Sequence, residues 1–98
     1  MTPQLGTKIY VIETTNVLRY VDVHAIGKES FIIRPTDNVP LIHDECRFDE
    51  YDHKWFINLA SAKKCILEKN KGKMCHLKLE QVTPSTYMLV RKINEVKE

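Results

Sequence analysis

The chain has 98 residues but only three glycines, four prolines, three cysteines and one tryptophan, and these scarcities remove whole classes of function. So few glycines leave no phosphate-cradling loop, and neither a Gly-x-Ser-x-Gly elbow nor a His-Glu-x-x-His pair occurs anywhere. Cys46, Cys65 and Cys75 are odd in number and irregularly spaced, which suits free thiols in a reducing compartment better than a disulfide framework. The longest apolar runs, Ile9 to Ile12 and Trp55 to Ile57, fall far short of the roughly 18 residues a membrane helix needs. Met1 to Thr7 lacks the basic start and apolar centre of a secretion signal, so the expected location is cytoplasmic, away from membranes. A net charge of only +2 gives the whole molecule little drive toward nucleic acid.

What is present is an ordinary globular balance, 43% apolar and 29% charged. A chain of this length supports one core, so residues 1–98 are expected to form a single domain with frayed ends at 1–6 and 94–98. The β-branched and aromatic run 8–13 reads as a strand that ends in the turn-type cluster Glu13 to Asn16. Residues 17–26 follow with Val21, Val23 and Ala25 on one side and Tyr20, Asp22 and His24 on the other. Gly27 is expected to supply a positive φ for a reversal into a third strand over 30–34. Pro35 and Pro40 bracket a loop, and a short strand within 41–48 turns Cys46 and Phe48 one way and Glu45 and Arg47 the other. Asn58 is placed to cap a helix over 59–70 whose apolar stripe is Leu59, Ala62, Ile66 and, at its margin, Cys65, with Gly72 as terminator. Alternation resumes at Cys75, Leu77 and Leu79, turns at Thr83-Pro84-Ser85 and returns over 86–93. The expected fold is mainly β (α+β), a small, partly open barrel of five to seven short antiparallel strands with one amphipathic helix and a C-terminal hairpin.

Charge is unevenly spread. Asp44, Glu45, Asp49, Glu50 and Asp52 crowd one segment against Arg47, whereas Lys63, Lys64, Lys69, Lys71, Lys73 and Lys78 crowd another against Glu68. The order of short strands, the hairpin "IGKESFII", the acidic loop and "YDHKWFINLASAKK" entering a helix resembles small SH3-like barrel proteins of phages and prophages of low-GC Gram-positive bacteria. The resemblance covers about residues 8 to 67 and is carried by Trp55-Phe56 followed by Leu59, Ala62, Lys63 and Lys64. It implies a non-catalytic protein that binds a host component and blocks it, for example one belonging to a defence system. The hairpin beyond residue 73 extends outside that pattern.

Reactive constellations are weak. His43-x-x-Cys46 and Cys75-His76 offer ligands soft enough for zinc, but neighbours in a strand project to opposite faces, so no metal and no cofactor is expected. Cys65 has lysines around it yet lies at the apolar stripe, where a packed thiol is the simpler account than a nucleophile. Asp49 with Asp52 has no apolar setting that would raise a carboxyl pKa for acid/base work. The chain therefore reads as a binder and not an enzyme. Candidate binding residues are the acids Asp44, Glu45, Asp49, Glu50 and Asp52, the aromatics Tyr51 and Trp55, and Tyr20 and His24 on the outward face of the second strand. Trp55 is also a natural core residue for so small a domain. Two other classes stand beside this one: a nucleic-acid binder using Lys63, Lys64, Lys69, Lys71, Lys73 and Lys78, and a protein that sequesters a signalling nucleotide in a pocket, which a subunit interface would supply. Oligomeric state is open.

Overall fold

A computed structural model describes residues 2–70 and 77–91. The strands are β1 (Lys8–Thr14), β2 (Val17–Ile26), β3 (Ser30–Pro35), β4 (Glu45–Arg47), β5 (Trp55–Phe56), β6 (Leu77–Thr83) and β7 (Thr86–Arg91), and the helix α1 spans Leu59–Lys69. The order β4-β3-β2-β1-β5 forms an antiparallel five-strand half-barrel, and β6–β7 is a C-terminal hairpin joined to it through β7 and β2. The ten-residue β2 organises this arrangement. One of its edges pairs with β1 over Val17 to Asp22. The other edge is shared: Val21 to Ile26 pair with β3, and Val17 to Arg19 pair with β7.

Period-2 alternation sends side chains of one sheet to two cores. Ile9, Val11, Val21, Val23, Phe31, Ile33, Cys46 and Trp55 fill the concave side. The intervening residues Ile12, Leu18 and Phe56 face the other way and meet Ala62 and Ile66 of α1 and Leu89 of β7. The helix thus covers one face of the sheet while the half-barrel curls around the other. Among the described residues no helix is long and apolar enough to cross a membrane.

Local signals explain the boundaries. Asn58 caps α1, its side-chain oxygen accepting a bond from the Ser61 amide at 2.8 Å. The helix stops at Lys69 with Asn70 as C-cap, and Gly72 lies outside the described residues. Asn70 is buried, and its side-chain amide donates to the carbonyls of Ile66 (2.8 Å) and Thr15 (3.0 Å), tying the helix end to the β1–β2 turn. Gly27 does not use a positive φ, contrary to expectation. A Cβ there would stand 3.2 Å from the Ser30 carbonyl oxygen, so a side chain would require the turn, whose Gly27 amide donates to that same oxygen, to open by a few tenths of an ångström. The strand expected within 41–48 shortens to β4, followed by a 3-10 turn at Phe48–Glu50. Residues near the amino terminus are held, not frayed: Pro3 is buried and the Gly6 amide donates to the Val23 carbonyl at 3.0 Å. Residues 94–98, expected to fray, lie outside the described residues.

Candidate binding surfaces

The acidic run is built around β4. Cys46 points into the core with 1% exposure while Glu45 and Arg47 point outward, the alternation expected of a half-buried strand. Its backbone is braced from several directions. The Trp55 indole N–H donates to the Arg47 carbonyl at 2.8 Å, the Arg47 amide donates to a Glu50 carboxylate oxygen at 2.8 Å, and the Phe48 amide donates to the Glu29 carbonyl at 3.0 Å. Phe48 stacks on Phe31 with ring centroids 5.8 Å apart, and Tyr51 packs on Trp55 at 4.8 Å. Asp52 takes a positive φ of 67°, and its amide donates to the Trp55 carbonyl at 2.9 Å, folding the loop back onto β5.

This bracing sorts the acids into two groups. Asp44, Glu45 and Asp49 are exposed and form a ridge with Glu29 along the β3–β4 side of the half-barrel. Arg47 lies within the ridge, its guanidinium 3.2 Å from Asp49 and 3.9 Å from Glu29. The hydrogen bond accepted by Asp49, together with its charge, raises the Arg47 pKa further. Ser30 donates to Glu45 at 2.5 Å. Asp52 instead lies on the helix side, while the Glu50 carboxylate folds back onto the Arg47 amide. Asp52 lines an open groove with Lys64 and Glu68, and Glu50 lines a second with Glu13, His53, Lys54 and Lys69. One residue of each block thus borders each of two open grooves beside α1: Asp52 with Lys64, and Glu50 with Lys69. Lys63 and Lys64 are exposed on the helix, Lys69 at its end and Lys78 on β6, while Lys71 and Lys73 lie outside the described residues.

The aromatic candidates part company with the ridge. Trp55, an interface candidate by sequence, is 0% exposed and belongs to the core: a two-residue strand at the half-barrel's end turns its indole inward against Phe31, centroids 5.0 Å apart. Tyr51 is half-buried against it. Tyr20 is half-buried on the helix-side face and stacks on Tyr10 at 4.7 Å, with Tyr87 6.3 Å from Tyr10. Burial, reinforced by the neighbouring Tyr87 and Tyr20 rings, raises the Tyr10 pKa. His24 is exposed where the β2–β3 register shifts.

The largest polar feature escaped the sequence reading. Arg19 is 2% exposed on the concave side, in phase with Val21 and Val23. Its guanidinium donates to Glu13 (3.2 Å), Asp37 (3.3 Å) and the carbonyls of Val39 (2.8 Å) and Pro40 (3.3 Å), leaving Nε without a partner. The second oxygen of Glu13 accepts from the Ile42 amide at 2.7 Å, and Asp37 accepts from the buried Ser85 hydroxyl. The Asp37 carboxyl is held below its ordinary pKa by the Ser85 bond first, with the Val39 amide and Arg19 adding to it. One side chain thus fastens the 36–42 loop to β2 and, through Asp37, to the hairpin turn.

No group of three or more potential metal ligands converges among the described residues. His43 and Cys46 do share a cavity, but it is a pinhole of about 10 Å³, and Cys75 and His76 lie outside the described residues. Burial pushes the Cys46 thiol up to about 12, so it stays protonated and a poor nucleophile or ligand. Cys65 donates weakly to the His53 carbonyl at 3.7 Å. Treatment of the folded protein with iodoacetamide, followed by peptide mass mapping, is expected to leave Cys46 unmodified until denaturant is added. Alkylation of Cys46 at the rate of a free cysteine would contradict that. Neither a protein-family model, nor a curated protein, nor a solved structure matches this chain.

Proposed function

We propose that the chain is a non-catalytic protein-binding module that presents its acidic ridge to a basic site on a partner. The observation that carries this reading is the bracing of the ridge: Glu29, Asp44, Glu45 and Asp49 project from a backbone tied to the core through Trp55, Phe48 and the Arg47–Glu50 bond. Charges held in place before encounter lose little freedom on binding, and a carboxylate array of one sign accelerates association with a basic surface. The resemblance to phage-encoded barrels supports a host protein as partner and inhibition as the outcome. The described lysines are less suited to a nucleic-acid groove, because Lys64 and Lys69 share their surroundings with Asp52, Glu68, Glu13 and Glu50.

Affinity purification from bacterial lysate cleared of nucleic acid is expected to recover one stoichiometric partner. The triple variant Asp44→Asn/Glu45→Gln/Asp49→Asn is expected to slow its association by about tenfold at low salt and to flatten the salt dependence. Lys63→Ala/Lys64→Ala is expected to bind as before. Copurification of nucleotide or nucleic acid in place of a protein, or a partner lost with the lysines and kept without the acids, would reject the reading.

A further inference from the structure

The edges of this sheet are treated unequally. β4 is three residues long and β5 is two, and the gap between them is bridged by the Trp55–Arg47 hydrogen bond. β6 is seven residues long, contains no proline and, among the described residues, pairs only with β7. A long unpaired edge is a template for another strand unless charge or covering blocks it.

The hydrogen-bond phase of that edge can be read from β7. Leu89 stands opposite Leu79, yet the Leu89 amide donates away from β6, to the Asn16 carbonyl at 2.9 Å. Opposed residues in an antiparallel ladder exchange both bonds or neither. Leu79 therefore directs its N–H and C=O outward, as do Leu77 and Gln81 two residues either side. Lys78 and Glu80 are exposed on one face, and Leu77 and Leu79 are half-buried at the margin of the helix-side core.

We infer that β6 is a homodimer edge, pairing antiparallel with β6 of a second copy about a two-fold axis through Leu79. In this register Leu79 faces Leu79 and Leu77 faces Gln81 of the second copy as hydrogen-bonded pairs. Each Lys78 then lies opposite a Glu80, giving two opposite-charge pairs on the solvent face. The neighbouring registers that keep the outward amides in phase are self-defeating: an axis at Glu80 sets Glu80 against Glu80, and an axis at Lys78 sets Lys78 against Lys78. The Leu79 pair extends the helix-side core across the axis, making one continuous sheet with a self-complementary interface. This surface is distinct from the acidic ridge, so either proposal can fail without the other.

Sedimentation equilibrium of the full chain is expected to give a concentration-dependent mass approaching twice 11.5 kDa. Lys78→Glu and Glu80→Lys are each expected to weaken the dimer by roughly tenfold, since two attractive pairs become repulsive, while the combined K78E/E80K chain recovers wild-type association. Both positions are exposed, and circular dichroism spectra that match wild type will confirm that the variants fold, their melts being lowered only as far as the lost association requires. Leu79→Cys is expected to form a symmetric disulfide on mild oxidation, because hydrogen-bonded antiparallel partners lie about 5.5 Å apart at Cα, within disulfide range. A monomer at the highest soluble concentration, an association that ignores K78E, or a double variant that fails to recover would overturn the inference, as would pairing of β6 only with a strand from a different protein.

Discussion

Replacing Arg19 with leucine is expected to cost about 3–5 kcal/mol of folding stability, the usual consequence of removing one member of a buried ion pair. The guanidinium satisfies Glu13, whose side chain is 8% exposed, together with Asp37 and two loop carbonyls. After truncation, Glu13 keeps its hydrogen bond from the Ile42 amide but loses its countercharge in a setting that solvent barely reaches. Small domains have only about 5–15 kcal/mol in total, so the variant should be marginal at room temperature. The test is urea unfolding of Arg19→Leu, Glu13→Leu and the double variant. The double variant should lose clearly less than the sum of the singles, because neither leaves the other's charge stranded. Simple additivity would show that the pair is not coupled and would remove the network from any account of stability.

Trp55→Ala is expected to be comparably damaging, about 3–5 kcal/mol from lost transfer energy and the cavity left behind. Trp55 contacts Phe31 and Tyr51 through its ring and Arg47 through its indole N–H. The effect reaches beyond the core, because that N–H holds the β4 carbonyl between the ridge carboxylates. Trp55→Phe separates the two contributions. It retains most of the apolar bulk, and its smaller loss, about 1–3 kcal/mol, reflects chiefly the Arg47 carbonyl left without its donor. Denaturant melts rank the three chains; a Trp55→Ala chain as stable as wild type would mean that the indole is not seated as described.

Much of the fold was legible because its signals are local. The alternation in 8–13 and 17–26, the Asn58 cap and the Leu59, Ala62, Ile66 stripe each need only a few neighbouring residues to be read, and each corresponds to an observed element. What escaped is what depends on pairing across distance. Arg19 is in phase with Val21 and Val23, so extending the alternation two residues backward would have placed it inside, as the phase of Ile9 and Val11 would have placed Glu13. A charged residue in an inward phase is readable only together with its partners, and Asp37 and Ser85 stand far off in sequence. For the same reason the acidic and lysine-rich segments read as opposed regions, although the fold sets Asp52 and Lys64 along one groove and Glu50 and Lys69 along another. Trp55 was ambiguous because an aromatic beside charge has the same composition in a core as in an interface; its strand partner, Val11, decides the matter.

The divided edge of β2 gives the buried arginine a second role. Because β3 and β7 dock end to end along one side of the same strand, sliding β2 by a single residue would misalign both at once and exchange its two faces. Packing alone would tolerate part of that error, since in one direction Leu18 and Tyr20 would take the places of Arg19 and Val21, even though Asp22 would then enter the place of Val23. A guanidinium that must find two carboxylates and two carbonyls cannot, so Arg19 acts as an indexing pin that makes the mis-threaded sheet incompatible with a satisfied interior.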